Sequence, residues 1–567
     1  MINRERPRQH YDVVIIGAGP VGTGLAIDLA QRGHSVCLVE KYKTPQPIPK
    51  GQNLTQRSGE HLRRWGVSAD IRKATLIPPS YGNQGITAYG SWLSEWHYDW
   101  FKRASVREYY FADNERLPQY ETERVLRART DALDNIDFFT GWSYHDCTEQ
   151  NNSLRVTVKP VDSAVNHTIE SLWLVGCDGA RSPVRESNGI EQTIDSRNKR
   201  MALVTFRSAE LNQLLSERYP GCTIFNAIHP DLDGYWQFLG RTDTDDAFFF
   251  HAPVADDATA DSLDFSALIK RAAGIDMQAI PEYVGFWDLR FTQANNYRHG
   301  RVFVAGDAAH SHPPYGGYGV NVGFEDARNL AWKLDAALCG WSSDALLDSY
   351  SAERHPVFAS TRDHFIAHMI DSDAAFTAQY SPVRDLQAFT AAWHDRAQGG
   401  QKEVSSYVPH YSGSPIVITE STAASGAVGE HSHKATAGYH LSPRVGELTN
   451  GGVSAGPEAN SADSTTSADR LFDRLGPGFS LIVCDSTANA ATASAATLAT
   501  ERLTLVSAFT VAAKKLRLPL NVITVNRQET INPPAPDYVL VRPDEYVAWA
   551  GNRCDAENIL RIACARQ

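Results

Sequence analysis

Cysteine, long apolar runs and excess basic charge are all scarce in this sequence, and each shortage removes a class of protein. Only 8 cysteines occur in 567 residues. No two stand as C-x-x-C, so neither a zinc ribbon nor a dithiol redox motif is written here. Their sparse scatter suits a reducing compartment. No stretch approaches the roughly 18 uninterrupted apolar residues of a membrane-crossing helix, and the polar start, residues 1–11, lacks the apolar core of a secretion signal. A cytoplasmic chain without a membrane is therefore expected. Lys plus Arg number 54 against 66 Asp plus Glu, a formal net charge of −12. That balance argues against nucleic acid or an anionic membrane as partner. The 42% hydrophobic and 21% charged shares are those of a folded chain.

Residues 11–39 read as one β-α-β unit. Val13-Val14-Ile15-Ile16 is a continuous β-branched run, the pattern of a parallel strand covered on both faces. Gly17-Ala18-Gly19-Pro20-Val21-Gly22 follows, then a helical stretch, then a strand over 35–39 closed by Glu40 and Lys41. A helix N-terminus carries unpaired N–H groups and partial positive charge, so it attracts pyrophosphate. Gly17 permits the tight turn, Gly19 close backbone approach and Gly22 strand–helix packing, with Glu40 placed for a ribose hydroxyl. The same glycines serving packing alone is the bland alternative.

Two further strands run into acidic turns. Residues 174–185 contain Cys177-Asp178-Gly179-Ala180-Arg181, and residues 301–310 contain Gly306-Asp307-Ala308-Ala309-His310. The second continues through Pro313-Pro314-Tyr315-Gly316-Gly317-Tyr318-Gly319-Val320-Asn321. An Asp after a buried strand can hold a polyol hydroxyl, and the glycine-rich turn leaves N–H groups open to a flat ring. Asp178 as a simple turn cap, and Arg181 and Arg185 as surface ion pairs, remain open. So does Arg57 as a solvated helix-start charge. His310-Ser311-His312 and His431-Ser432-His433 look like metal pairs, but no carboxylate spacing supports them, and no metal is expected.

Further along, helix is predicted at 58–65, 121–133 and 323–338. Strands are predicted at 154–158, 171–175, 203–206, 235–239, 248–251 and 301–305, the middle group forming a mainly antiparallel sheet. Helix gives way to Gly, Ser and Pro around 399–438, a domain boundary. Beyond it 450–469 reads as a loop, with strands at 479–484, 520–525 and 538–542 and a helix at 505–516.

The glycine fingerprint, the Asp178-Gly179 turn and the Gly306-Asp307 turn, in that order, resemble single-component FAD-dependent aromatic hydroxylases, the para-hydroxybenzoate hydroxylase and phenol hydroxylase group. The resemblance covers roughly residues 10–400. It implies an α/β fold: a Rossmann-like FAD-binding domain (about 1–80, 105–190 and 292–365) and an inserted, mainly antiparallel substrate-domain sheet (about 81–104 and 191–291). A helical part spans 366–400. From about 410 to 567 the chain resembles the thioredoxin-like extension of the phenol-hydroxylase relatives. There Asp485-Ser486-Thr487 follow Cys484 where a dithiol belongs, so a redox-inactive domain for capping or subunit contact, with a candidate homodimer, is expected.

On that resemblance FAD meets Gly17, Gly19, Pro20, Val21, Gly22, Glu40, Lys41, Arg57 and Gln119 at its nucleotide and ribityl parts. Asp178, Gly179, Gly306 and Asp307 join them, while Pro314, Gly317, Gly319, Val320 and Asn321 border the flavin ring. NADH or NADPH acts as transient reductant. Dioxygen then hydroxylates a small phenolic or related electron-rich aromatic through a flavin 4a-hydroperoxide. Phe206, Trp236, Phe238, Phe249 and Trp287 are candidates to wall the substrate, or ordinary core. His251 and Tyr235 are candidate bases or acceptors, and Pro314 a candidate beside the reacting centre.

Absences sharpen this. There is no early cysteine pair for a disulfide reductase, no second glycine fingerprint for a separate NADPH domain, and no W-x-W-x-I-P halogenase signature. A flavin epoxidase or other non-aromatic oxygenase, and a flavoprotein without turnover, are the alternatives.

Overall fold

The computed structural model describes residues 6–81, 84–400, 402–446, 467–485, 493–526 and 536–566. Most of the predicted loop at 450–469 lies outside them; its last residues open a helix, Ser467–Arg474. The chain divides into two compact units, residues 1–107, 112–327 and 358–407 in one, and 108–111, 328–357 and 408–567 in the other. No helix among the described residues is long and apolar enough to cross a membrane.

The first unit holds two eight-stranded sheets. In one, His10–Ile16 pairs in parallel with His167–Gly176 on one side and Val36–Glu40 on the other. Ile136–Thr140 extends one edge and Val302–Val304 the other, both in parallel. Val13, Val14 and Ile15 are wholly buried, as a β-branched run covered on both faces requires. The chain reverses direction across this sheet at His10–Ile16, and ligands of such sheets gather at the carboxyl ends beside that point. Three hydrogen bonds bind those ends together: Gly17 N–H to Val39 O (2.7 Å), Cys177 N–H to Ile16 O (2.7 Å) and Ala305 N–H to Gly176 O (3.0 Å).

The second sheet runs His310–Ser311, Ile280–Ala294, Gln192–Arg207, Ala247–Val254, Trp236–Arg241, Ile224–Ile228, Gly85–Tyr89 and His97–Trp100. All neighbours are antiparallel except Ile224–Ile228 with Gly85–Tyr89. Strand side chains alternate between faces. One face carries Phe206, Phe248, Phe250 and Leu239 into a core with Leu211, Leu215, Phe265 and Ile269 of two helices. The other carries Phe238, Phe249 and His251 toward the site described below.

Two predicted helices shift by about two residues and two begin earlier than predicted, the one expected at 505–516 by twelve residues, at Ala493. Gln56–Arg64 begins where the Thr55 hydroxyl accepts from Ser58 N–H, and Gly319–Leu338 starts four residues earlier than periodicity suggested.

In the second unit a sheet runs Leu520–Asn526, Phe479–Asp485, Tyr538–Val541, Val547–Gly551, the first pair parallel and the others antiparallel. With the helices Ala493–Leu516 and Ala556–Ala563 this is the βαβ-ββα order of a thioredoxin-like core. Cys484 is buried, and 486–492, where a dithiol would continue, lies outside the described residues. The Glu353 carboxylate, fully buried, accepts from Lys333 Nζ (2.7 Å), Asn329 Nδ2 (2.7 Å) and Arg542 Nη2 (3.0 Å). Paired and hydrogen-bonded charges of this kind survive burial, and they hold Glu353 well below the usual carboxylate range.

Candidate active site

A chamber of about 510 Å³ opens in the first unit at the carboxyl ends of the parallel strands. Gly17, Gly19, Glu40, Asp178 and Asp307 line one side, and Phe238, Phe249 and His251 line another. Gly17 makes the convergence possible. Its φ is +100°, in the left-handed region, and a Cβ there would lie 2.9 Å from Asp178 Cα. Gly22 sits behind, where a Cβ would overlap the Gly17 carbonyl and meet Cys177 Cβ at 3.0 Å.

The helix Pro20–Gln31 starts at Gly19 with no side chain capping it. Its first N–H groups are thus left to an anion. The Glu40 carboxylate accepts from Ala18 N–H (2.8 Å) and Tyr42 N–H (2.9 Å), clamping the glycine turn from the next strand.

Asp178 Oδ2 accepts from Val184 N–H at 3.1 Å, while its buried Oδ1 has no protein partner among the described residues. Asp307 faces the chamber, and desolvation pushes its carboxyl above the ordinary range, opposed by His310 and Lys50. The turn bearing Asp307 is fixed from beneath. Gly306 N–H donates to Asp326 Oδ2 (3.0 Å), and His310 Nε2 lies 2.7 Å from the same oxygen. Asn321 pins the next turn, donating to Asn53 O (2.8 Å) and Gly317 O (2.6 Å) and accepting from Thr55 N–H (2.8 Å).

On the aromatic side the Phe238 and Phe249 rings stand 5.7 Å apart, and His251 lies edge-on to Phe249, also at 5.7 Å. Trp287 Nε1 donates to His251 Nδ1 at 3.2 Å. An indole N–H can only donate, so Nδ1 keeps its lone pair and the neutral ring carries its proton on Nε2. Burial lowers this imidazole to about 3. His251 is therefore a neutral hydrogen-bond donor and not a base.

Known proteins match this architecture. The FAD binding domain family matches residues 10–364, and the aromatic-ring hydroxylase C-terminal family matches residues 456–567. The chain belongs to the FAD-dependent aromatic-ring hydroxylases. A 4-methyl-5-nitrocatechol 5-monooxygenase from a Burkholderia species is 30% identical over 64% of this chain and 67% of its own length. A rifampicin monooxygenase from Streptomyces venezuelae is 31% identical over 62% and 70%. The solved structure of RebC with bound 7-carboxy-K252c aligns over 99% of this chain and 100% of that one, with TM-score 0.77 and 25% identity.

The residues of this hydroxylase fit FAD. A Cβ at Gly19 would meet nothing within 4 Å, so open space stands off the helix N-terminus. The buried Gln52 amide lines the chamber without a protein partner at either Nε2 or Oε1 among the described residues, as does His312 at Nε2. These atoms leave hydrogen-bonding capacity for a ligand on the chamber wall.

Pro20, Val21, Lys41, Gln119, Gly179, Pro314, Gly317, Gly319 and Val320 also line the wall. Gly22, Gly306 and Asn321 stand one layer behind it. Arg57 is displaced from its expected place: its Nε donates to Glu325 (2.7 Å) and its Nη1 to Glu60 (2.7 Å), both buried, and it does not line the chamber. Lys50 lines it instead. Arg181 is exposed, while Arg185 is buried and donates to Ala308 O at 3.1 Å.

Phe206 is corrected by strand parity, since it points into the core on the opposite face. Trp236 packs edge-on against Tyr315 at 4.4 Å and stays off the wall. Trp287 lies behind His251, which it orients. Tyr235 is also off the wall, its hydroxyl directed at Arg197 O (3.4 Å), so it cannot serve as a base there.

Gln119, Glu123 and Arg127 all reach the chamber from one face of the helix Gln119–Asp131. Their i, i+4, i+8 spacing was a usable signal for Arg127. Arg127 Nη2 donates to Ala18 O at 3.2 Å, beside the glycine turn.

Proposed function

We infer that this hydroxylase uses NAD(P)H and dioxygen to hydroxylate a phenolic or related electron-rich aromatic ring. The observation that carries the reading is the meeting of Gly17, Gly19, Asp178 and Asp307 around one chamber whose other wall is aromatic. FAD bound there supplies hydride acceptance and oxygen activation, chemistry that side chains lack.

The chain's own work is binding, orientation and exclusion of water. The N-terminus of the helix Pro20–Gln31, with Lys50 and Arg127, holds the pyrophosphate. Glu40 meets the adenosine ribose, and Gln119 and Asp307 meet the ribityl hydroxyls. Gln52 and the turn from Pro314 to Gly319 border the flat ring. Phe238 and Phe249 give a planar substrate an apolar bed that keeps water from the reacting atoms. The Nε2–H of His251 donates to an oxygen of that substrate.

Of the enzymes similar to this chain, one acts by name on a nitrocatechol, which supports the phenolic reading over an epoxidase. The purified protein is expected to be yellow, to oxidise NADH or NADPH faster when a suitable phenol is added, and to yield a product heavier by one oxygen. An unchanged slow oxidation across a broad phenol panel overturns the assignment.

A further inference from the structure

Arg116, a buried cation in the chamber wall, has no counter-charge among the described residues. Arg116 lies on the short strand Glu115–Arg116, paired with Asn53–Leu54, and is 4% exposed. Its Nη2 donates to two neutral carbonyls, Thr223 O (3.3 Å) and Arg241 O (3.2 Å). Nε has no hydrogen-bond partner among the described residues. The charged group facing it is a second cation, Arg241, and burial together with that repulsion lowers Arg116 to about 9. Arg241 is hydrogen-bonded to neutral groups, Nε donating to Cys222 O (3.2 Å) and Nη2 to Ser216 Oγ (3.1 Å), with the guanidinium over the Phe225 and Phe248 rings and Asp243 as the carboxylate that acts on it. Arg57 and Arg542, also buried, face carboxylates.

A guanidinium held in low dielectric without an anion is a costly arrangement unless a ligand completes it. Its place says which ligand. Arg241 and Phe249 belong to the inserted sheet and Thr223 immediately precedes one of its strands, while the pyrophosphate end already has Lys50 and Arg127. The missing side chain of Gly240 leaves room into which the Phe249 ring and Arg116 Nη2 both reach, the latter 3.1 Å from where a Cβ would stand. Arg116 and His251 thus both adjoin Phe249.

We propose that Arg116 anchors an anionic oxygen of the substrate, a phenolate or ring carboxylate, and so selects acidic aromatics. The proposal rests on the hydroxylase reading, but its test needs no turnover. The probe is 4-nitrophenol, titrated into the FAD-loaded enzyme with phenolate absorbance followed across pH. Bound to the wild type, the probe is expected to ionise about one pH unit lower than when free, a tenfold preference for the phenolate. R116Q should abolish that shift and R116K should keep part of it, with FAD content and melting temperature measured alongside. Should R116Q fail to fold, the wild-type titration decides alone. An unshifted probe on the wild type overturns the proposal, as does absence of saturable binding or a shift that R116Q leaves intact. R116Q releasing FAD while the bound probe still ionises low also overturns it, because the guanidinium then serves the cofactor.

Discussion

Gly19 and Gly22 stand three residues apart in one turn, yet replacing each by alanine should fail in different ways. At Gly19 the backbone has φ −70° and ψ −179°, which alanine adopts freely, and the added methyl would meet nothing within 4 Å. Folding stability of the FAD-free Gly19→Ala protein should therefore stay within about 1 kcal/mol of wild type, since a weaker helix cap and a stiffer unfolded chain oppose each other. The methyl projects into the space assigned to pyrophosphate. Crowding by one methyl in a close-packed contact costs about 1–3 kcal/mol, or roughly 5- to 150-fold in the FAD dissociation constant.

At Gly22 the methyl would overlap the Gly17 carbonyl and press on Cys177 Cβ at 3.0 Å. Relief requires moving the helix off the strand, and the gain of about 1 kcal/mol in helix propensity does not offset it. Gly22→Ala should thus lower the stability of the FAD-free protein by about 1–3 kcal/mol. Denaturant unfolding without FAD, beside a fluorescence titration with FAD, separates the two. Equal loss of stability in both variants, or wild-type FAD affinity in Gly19→Ala, would refute the assignment of the turn.

Three further outcomes follow from the aromatic side. Trp287→Phe removes the indole N–H from His251 Nδ1, a bond worth about 1 kcal/mol, and should cut kcat/KM for a phenol roughly fivefold without loss of FAD. His251 is lowered to about 3 from an ordinary 6.5, so between those values the unfolded chain binds more protons and stability rises with pH. It contributes fully above pH 6.5 and is lost on acidification, with a slope of at most about 1.4 kcal/mol per pH unit. His251→Gln should flatten that acid limb in unfolding experiments at pH 4–6. Phe206→Ala should cost about 3–5 kcal/mol of stability while leaving the KM of the phenol unchanged, whereas Phe249→Ala should raise that KM.

The parts legible in the sequence are those where the local pattern has one physical reading. Val13-Val14-Ile15-Ile16 before a glycine turn can only be a strand feeding a helix, and the two Asp turns repeat the same logic. Which wall a strand residue faces was not legible. Phe248-Phe249-Phe250-His251 is buried at every position, because one face packs on helices and the other lines the chamber. Period-two alternation then has no polar phase to mark the faces, and Phe206 and Phe249 look alike until pairing fixes parity. Arg57 misled for a related reason. Its i+3 partner Glu60 was visible, and that spacing is the mark of an ion pair more than of a ligand contact.

Arg116 shows the harder limit. Nothing in Glu115-Arg116-Leu117 distinguishes a buried cation from a solvated one, since the groups that bury it, Thr223 and Arg241, lie more than a hundred residues away. Charge becomes informative only once burial and partners are known together. The residues that bind cofactor backbone are written as spacing, because a glycine turn acts through its own chain. A residue proposed to choose a substrate, as Arg116 is, acts through the absence of a partner, and a local pattern has no way to write an absence.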